Sequence, residues 1–186
     1  REPQLSAYGA SKRAGEEVVA ARGGPWAIVR APAVYGPGDR ETLAYFRSVK
    51  FGVAPQPLVA DARLSLIHVT DLAAGLALMV DRPVGRSVCE IDDGSEGGYS
   101  YRDMADAAGA AMGRNPWVLP IPRALMVGVA SWNGLRHALG GKAQILARGK
   151  VNEIYHPDWV VRDRRLAAAI GLQPRYNLPS GFRDTI

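Results

Sequence analysis

Hydrophobic and polar residues along this chain repeat with two periods, one typical of helices and one typical of strands. Ser6 to Arg22 is predicted to be a helix, with Ser6 as its N-cap and Gly23-Gly24-Pro25 as its stop signal. The apolar run from Trp26 to Val29 follows at once and is short and β-branched enough for a buried strand. A helix linked tightly to a buried strand is typical of a parallel sheet covered by helices.

The next segments continue this alternation. Ala31 to Arg40 is dense in Pro and Gly and is predicted to be a loop, whereas Glu41 to Lys50 has the apolar spacing of a helix. Leu64 to Val69 and Ser87 to Ile91 are predicted strands, with a helical segment between them. The pattern predicts an α/β fold.

The second half of the chain is predicted to be largely helical. Ser100 and Asp103 form a capping pair for a helix that ends at Gly113. Pro122 starts another helix, whose apolar face extends from Leu125 to Leu139. We expect core or interlobe packing for three tryptophans, Trp117, Trp132 and Trp159. The apolar face could alternatively form the wall of a site for a hydrophobic substrate.

Length and composition indicate a folded domain: 186 residues, of which 47% are hydrophobic. The sequence contains 23 Lys and Arg and 18 Asp and Glu. Because the basic residues are scattered among acidic ones, this composition favours solubility over nucleic-acid binding. No apolar run approaches the ~20 residues of a membrane span. Cys89 is the single cysteine, which excludes an intramolecular disulfide and predicts a buried thiol in a reducing compartment, the cytoplasm. Because the chain begins at Arg1, we expect it to be part of a longer protein.

Tyr8 and Lys12 are the sharpest candidates for chemistry. Residues four apart on a helix share one face, so the phenol and the amine point the same way. A phenol with a pKa of about 10 is a weak base at neutral pH, and a nearby ammonium favours its anionic form. The pair could therefore exchange a proton with a substrate oxygen while a cofactor carries the hydride.

Three segments in order resemble the extended short-chain dehydrogenases/reductases, the NAD-dependent epimerase/dehydratase family. Residues 3 to 16, PQLSAYGASKRAGE, resemble the family's active-site helix. Residues 29 to 39, VRAPAVYGPGD, resemble its loop after the next strand, and residues 67 to 73, IHVTDLA, its strand-to-helix return. Weaker similarity continues to residue 185. The resemblance implies the C-terminal part of a Rossmann-type parallel sheet plus a small mixed, mostly helical substrate-binding lobe.

This resemblance also implies roles for individual residues. Tyr8 is expected to be the general acid/base, and Lys12 to lower its pKa and to bind the nicotinamide ribose of NAD or NADP. Pro32, Ala33 and Val34 are expected to lie against the nicotinamide. Ser11 is expected to contact the substrate or the cofactor. Tyr35 and Arg40 are expected to line the substrate cleft, with core packing for Tyr35 and solvent exposure for Arg40 as the alternatives.

Two residues with suggestive side chains are assigned structural roles. His68 has no His or Cys partner at metal-ligand spacing, so we predict a hydrogen-bonding role and no metal site. The helix after it is expected to be capped by Thr70 or Asp71.

The family's glycine-rich dinucleotide turn does not occur in the sequence, nor does the Ser or Thr expected upstream of the Tyr helix. We therefore expect the N-terminal cofactor-binding half to be missing from this chain. Residues 1–34 would be the tail of the dinucleotide-binding domain. Residues 35–186 would be mainly substrate-binding lobe, with 64–92 returning to the Rossmann sheet.

The substrate class is inferred from two departures. Many nucleotide-sugar members resemble this chain but carry Asn at the position of Ala33 and Arg at that of Leu64; here Arg63 is one residue away, which on a strand faces the opposite side. We expect an oxidoreductase for an alcohol or ketone of a small or hydrophobic molecule. The alternatives are a nucleotide-sugar epimerase or dehydratase, and a non-catalytic binding or assembly subunit. The resemblance also allows a homodimer through the Tyr8 helix.

Overall fold

A computed structural model describes residues 6–82, 84–138 and 148–186. The helices in these ranges are α1 (Ala7–Ala21), α2 (Arg40–Lys50), α3 (Val69–Asp81), α4 (Tyr101–Met112), α5 (Arg123–Ala138), α6 (Arg148–Ile154), α7 (Arg165–Ala169) and α8 (Leu178–Thr185). The strands are β1 (Ala27–Arg30), β2 (Ala33–Tyr35), β3 (Val53–Pro57), β4 (Arg63–Leu64), β5 (Leu66–His68), β6 (Ser87–Glu90), β7 (Tyr99–Ser100), β8 (Trp117–Ile121) and β9 (Asp158–Trp159).

Most strand pairings are parallel. β1 pairs with β6, β2 with β5 and β3 with β8, each in parallel, with Ala27 opposite Ser87 in the first of these pairs. β4 lies between β9, its parallel neighbour, and β7, its antiparallel neighbour. Helices separate the parallel partners along the chain, which confirms the predicted α/β fold. The division into a dinucleotide-binding tail and a substrate-binding lobe stays a prediction.

Local signals set the helix ends where the sequence predicted them. The Ser6 hydroxyl caps α1 by accepting a hydrogen bond from Gly9 N at 2.9 Å. Ser100 and Asp103 form a complete capping box at the start of α4, and Gly113 ends that helix in the left-handed conformation with φ 62°.

Two predicted segments differ in the structure. The predicted loop contains β2, which pairs with β5 across the whole of α2 and β3. The single strand predicted from Leu64 to Val69 is divided at Ser65, whose hydroxyl donates to buried Asp92 at 2.9 Å. Because β4 joins β9 while β5 joins β2, the two halves belong to different sheets. Strand partners so far apart in sequence leave no local signal.

The cap of α3 is His68, so the prediction of Thr70 or Asp71 was wrong. His68 Nδ1 accepts a hydrogen bond from Thr70 N at 3.3 Å, which confirms a structural role for this buried imidazole. Asp71 lies within the first turn and is 2% exposed. Its two carboxylate oxygens accept the backbone N–H groups of Arg175 and Tyr176 at 3.1 and 2.9 Å. Asp71 therefore holds the C-terminal segment against α3.

Tyr35 lies in the main hydrophobic core, so its prediction as a substrate-lining residue was wrong. It is 4% exposed, and its ring meets those of His68 and Phe182 edge-on, with centroids 5.4 and 5.3 Å apart. Burial raises the pKa of its phenol. Phe182 belongs to α8, so this core closes only when the last helix of the chain is in place.

A second core cluster surrounds Cys89, which is buried as predicted. Burial raises the pKa of this thiol, so it is held in its neutral form. The buried carboxylate of Asp92 nearby accepts two hydrogen bonds from Arg164, at 2.8 and 2.6 Å. This ion pair ties the segment before α7 to the end of β6.

Several apolar residues predicted to be packed are instead exposed. Trp117, Trp132 and Trp159 all have a large fraction of their surface in solvent. The predicted apolar face of α5 exposes Leu125 and Val129 as well, and its end at Leu139 lies outside the described residues. Core packing was therefore the wrong prediction for these side chains.

Candidate active site

A cleft of about 860 Å³ opens beside the N-terminal half of α1. One side is formed by Tyr8 and Lys12 from α1 and by residues 31–33, which run from the end of β1 into the start of β2. The opposite side comes from β4, α6 and the segment around β9. Elements distant in sequence thus meet at one site.

Tyr8 and Lys12 face this cleft together, as the helical spacing predicted. Tyr8 is 66% exposed, and the Lys12 ammonium lies 5.4 Å from the centroid of its ring. Within residues 6–82, 84–138 and 148–186, no carboxylate forms an ion pair with Lys12. The ammonium is therefore available to the phenol and to a ligand.

An ion pair between α1 and β1 also lines the cleft. Arg30, at the end of β1, donates two hydrogen bonds to Glu16 of α1, at 2.9 and 2.7 Å. The hydrogen bond from Arg30 is the main cause that lowers the pKa of Glu16. This bidentate pair fixes the distance between the helix and the strand that carries the next cleft residues.

The far side of the cleft presents apolar side chains: Leu64, Ile154, Trp159, Val160 and Val161. The Trp159 indole Nε1–H donates to the Glu153 carbonyl at 2.9 Å, which orients the ring. Leu64 lines the cleft, whereas the neighbouring Arg63 points to the other face and donates to Gly98 O at 3.1 Å. The alternation expected of a strand therefore excludes the Arg63 guanidinium from the site.

Helix α6 closes the cleft at the N-terminus of α1. The Ser6 hydroxyl donates to Glu153, and a Cβ at Gly149 would lie only 2.9 Å from Ser6 Cβ, so the two helices touch at a glycine. Lys150 Nζ lies 3.9 Å from Glu153 and 4.0 Å from Glu41. Sequence reasoning missed these α6 residues because nothing local indicates which helix they approach.

The remaining predicted site residues divide between the cleft and other places. Pro32 and Ala33 line the cleft, whereas Val34 is not among its lining residues. The Ser11 hydroxyl donates to the Tyr8 carbonyl at 2.8 Å, along its own helix and away from the cleft lining. Arg40 is the exposed first residue of α2, outside the cleft, so the structure brings neither of the two to the substrate side.

Known proteins resemble this chain in sequence and in fold. Residues 2–90 match the sequence model of the NAD dependent epimerase/dehydratase family. A ceramide reductase of Caulobacter vibrioides is 36% identical over 190 aligned positions, which cover 100% of this chain and 58% of that protein. The chain thus spans little more than half the length of this curated relative.

Solved structures share the fold. UDP-glucose 4-epimerase of Thermus thermophilus, crystallised with NAD, matches with a TM-score of 0.67 and 21% identity over 99% of this chain and 53% of its own. A human epimerase family protein with NADPH matches with a TM-score of 0.72 and 18% identity over 98% of this chain and 60% of its own. The family match over residues 2–90 and the identity to the Caulobacter reductase make this chain similar to the NAD-dependent epimerase/dehydratase family, the extended short-chain dehydrogenases/reductases, and the solved structures share its fold.

Proposed function

We propose that this chain carries the proton-transfer site of an NAD(P)-dependent reductase or dehydrogenase that interconverts a ketone and an alcohol on a hydrophobic substrate. The observation that carries the proposal is the shared exposure of Tyr8 and Lys12 to a cleft whose far side is apolar. The name of the Caulobacter relative supports it, because a ceramide is a lipid with long hydrocarbon chains.

The cleft residues fit the nicotinamide end of a dinucleotide. Lys12 presents an ammonium without a carboxylate partner among the described residues, which suits a ribose hydroxyl. The backbone groups of Pro32 and Ala33 lie on the same side and suit a carboxamide. When bound, NAD or NADP supplies or takes up the hydride.

Tyr8 would handle the proton. In the direction of reduction its phenol donates a proton to the substrate oxygen as the carbonyl becomes an alcohol, and in oxidation the phenolate takes that proton back. The Lys12 ammonium, 5.4 Å from the centroid of the Tyr8 ring, lines the same cleft. The apolar side chains opposite would exclude water from the reacting carbon.

Cleft cations argue against a diphosphate-bearing substrate. Arg30 is paired with Glu16, Arg13 with Glu17 at 3.2 Å, and Lys150 with Glu153. A diphosphate would have to break these ion pairs to gain basic partners. Of the cleft cations, Lys12 alone has no carboxylate partner among the described residues. An apolar substrate needs no such exchange.

Two further properties follow the family and stay proposals. None of the α1 residues is buried, so this helix offers a free surface through which two copies could pair. The neutral, buried thiol of Cys89 suits a reducing compartment, and we propose a cytoplasmic location.

Replacing Tyr8 tests the proposal. In the full-length protein, Tyr8→Phe is expected to lower turnover of an apolar ketone by about 10² or more, because the proton donor is removed. NAD(P)H binding, followed by its fluorescence, is expected to stay within about twofold. Ser11→Ala is the matched control on the same helix, since its hydroxyl donates back to the Tyr8 carbonyl and does not line the cleft.

Each alternative predicts a different result. Unchanged turnover in Tyr8→Phe would contradict the proton-transfer role. Stabilisation of the protein by UDP- or dTDP-sugars and by no apolar ketone would favour the nucleotide-sugar alternative. Ligand binding without turnover in the wild type would favour a non-catalytic subunit.

A further inference from the structure

Helix α5 carries an exposed apolar stripe. Leu125, Val129 and Trp132 are 60%, 43% and 61% exposed. At 100° per residue their positions fall within about 60° of one another around the helix axis, with Gly128 beside them. The opposite side is packed, since Ala130 is 2% exposed. One face of α5 therefore holds the helix on the protein while another presents large apolar side chains to solvent.

The stripe belongs to a segment with an unusual charge. From residue 107 to residue 152 the sequence contains no Asp or Glu and six basic residues: Arg114, Arg123, Arg136, Lys142, Arg148 and Lys150. The whole chain has 23 basic and 18 acidic residues, so the rest of the chain contains 17 basic residues and all 18 acidic ones. The excess positive charge of the protein thus lies entirely in this segment. The even scatter assumed from the overall composition does not hold here.

We propose that the exposed face of α5 docks on the surface of an anionic lipid bilayer. An apolar stripe containing Trp and Leu, in a segment whose charges are all positive, is the pattern of a helix that lies in the membrane interface. The Trp132 ring suits the headgroup level, where one part of an indole is apolar and its N–H is wet.

In the docking that we propose, the described part of α5 lies along the membrane surface. Its 16 residues measure about 24 Å, shorter than the ~30 Å hydrocarbon core of a bilayer. Among residues 6–82, 84–138 and 148–186, no helix is long and apolar enough to span a membrane. Arg123 at its start donates a hydrogen bond to the neutral Asn152 Oδ1 at 2.9 Å, and no ion pair joins it to a carboxylate among the described residues.

Docking in this orientation would place the cleft near the lipid. Helix α5 packs against α6, and α6 contributes Lys150, Glu153 and Ile154 to the cleft. A single short helix therefore separates the stripe from the cleft. The docking proposal does not depend on the proposed reaction, but it would hold the protein at the surface where a hydrophobic lipid substrate resides.

Vesicle sedimentation of the full-length protein tests the proposal. We expect binding to vesicles of phosphatidylcholine in which about one lipid in three is phosphatidylglycerol, little binding to pure phosphatidylcholine, and weakening as salt rises. Leu125→Glu with Val129→Glu is expected to reduce the bound fraction at least tenfold. The control is Phe51→Glu with Val80→Glu, which adds the same charge at apolar residues 86% and 78% exposed elsewhere, and is expected to bind within twofold of the wild type.

Trp132 provides a second readout that does not depend on the double variant folding. Its emission is expected to shift to shorter wavelength on anionic vesicles, and Trp132→Phe is expected to remove most of that shift while still binding. Equal loss in the two double variants, wild-type protein that stays in the supernatant, or a dimer in gel filtration that Leu125→Glu with Val129→Glu dissolves would each overturn the proposal. The last result would assign the stripe to a second copy of the chain.

Discussion

Replacing Asp71 by Asn tests whether this residue is a clamp, that is, whether its side chain holds the C-terminal segment against α3, or only a helix cap. Its carboxylate accepts two backbone N–H groups of the C-terminal segment, and hydrogen bonds to a charged group contribute about 1.5–3 kcal/mol each. Asparagine keeps one acceptor oxygen but turns an NH₂ donor toward the second amide. One charge-assisted hydrogen bond is lost and a donor is left unsatisfied, so we expect the free energy of unfolding to fall by about 2 kcal/mol. In a domain of this size that lowers Tm by roughly 4–8 °C.

Urea unfolding of wild type and Asp71→Asn, followed by circular dichroism, measures this loss as a lower midpoint at an unchanged slope. Hydrogen exchange shows where the stability is lost. The amides of Arg175 and Tyr176 should lose protection before the rest of the protein. A clamp therefore predicts a loss that is both large and localised in the C-terminal segment.

Asp103→Asn is the matched control, because Asp103 is exposed and belongs to a true capping box. Its expected loss is about 1 kcal/mol or less. The hydrogen bond from the Ser100 amide is the main cause that lowers the pKa of Asp103. The contribution of the box is thus complete above the usual Asp pKa of about 3.9 and disappears as pH falls through the lower folded value. Equal losses for the two variants at neutral pH would refute the clamp.

Two other predictions concern an ion pair and two glycines. Arg164→Met leaves the carboxylate of Asp92 buried without its ion-pair partner and should reduce the free energy of unfolding by about 3 kcal/mol. The control is Arg162→Met, at an exposed ion pair, which should leave Tm almost unchanged. Similar Tm values for the two variants would contradict this prediction. Gly181→Ala would place a Cβ 2.1 Å from the Tyr35 hydroxyl and should lower the free energy of unfolding by about 1–3 kcal/mol. A Cβ at Gly128 would meet no neighbouring atom within 4 Å, so Gly128→Ala should raise that free energy by up to about 1 kcal/mol. Chemical denaturation measures both, and a Gly181→Ala variant more stable than Gly128→Ala would be inconsistent with the packing.

Sequence reasoning succeeded where the information is local. The spacing of Tyr8 and Lys12 fixed their common face, and the capping signals at Ser6 and Ser100 fixed two helix starts. Leu64 and Arg63 could be assigned to opposite faces because alternation along a strand needs no knowledge of the rest of the fold.

It failed where a distant partner decides the outcome. Tyr35 looked like a cleft residue because it follows a Pro-rich segment, yet its surroundings come from α8. Asp71 is of a residue type that often caps helices and lies near the start of α3, but His68 is the residue whose side chain accepts from a first-turn amide, that of Thr70. The apolar period of α5 correctly predicted a helix, although periodicity alone cannot say which apolar side chains find a protein partner.

Closure of the Tyr35 core has a consequence for how the polypeptide matures. Phe182 follows Tyr35 by 147 positions, and at 5–20 residues per second a ribosome needs about 7–30 s to add them. Until α8 has been synthesised, the side of the Tyr35 ring that Phe182 covers in the folded protein has no partner. A chain without α8 would leave this aromatic surface exposed, which favours aggregation.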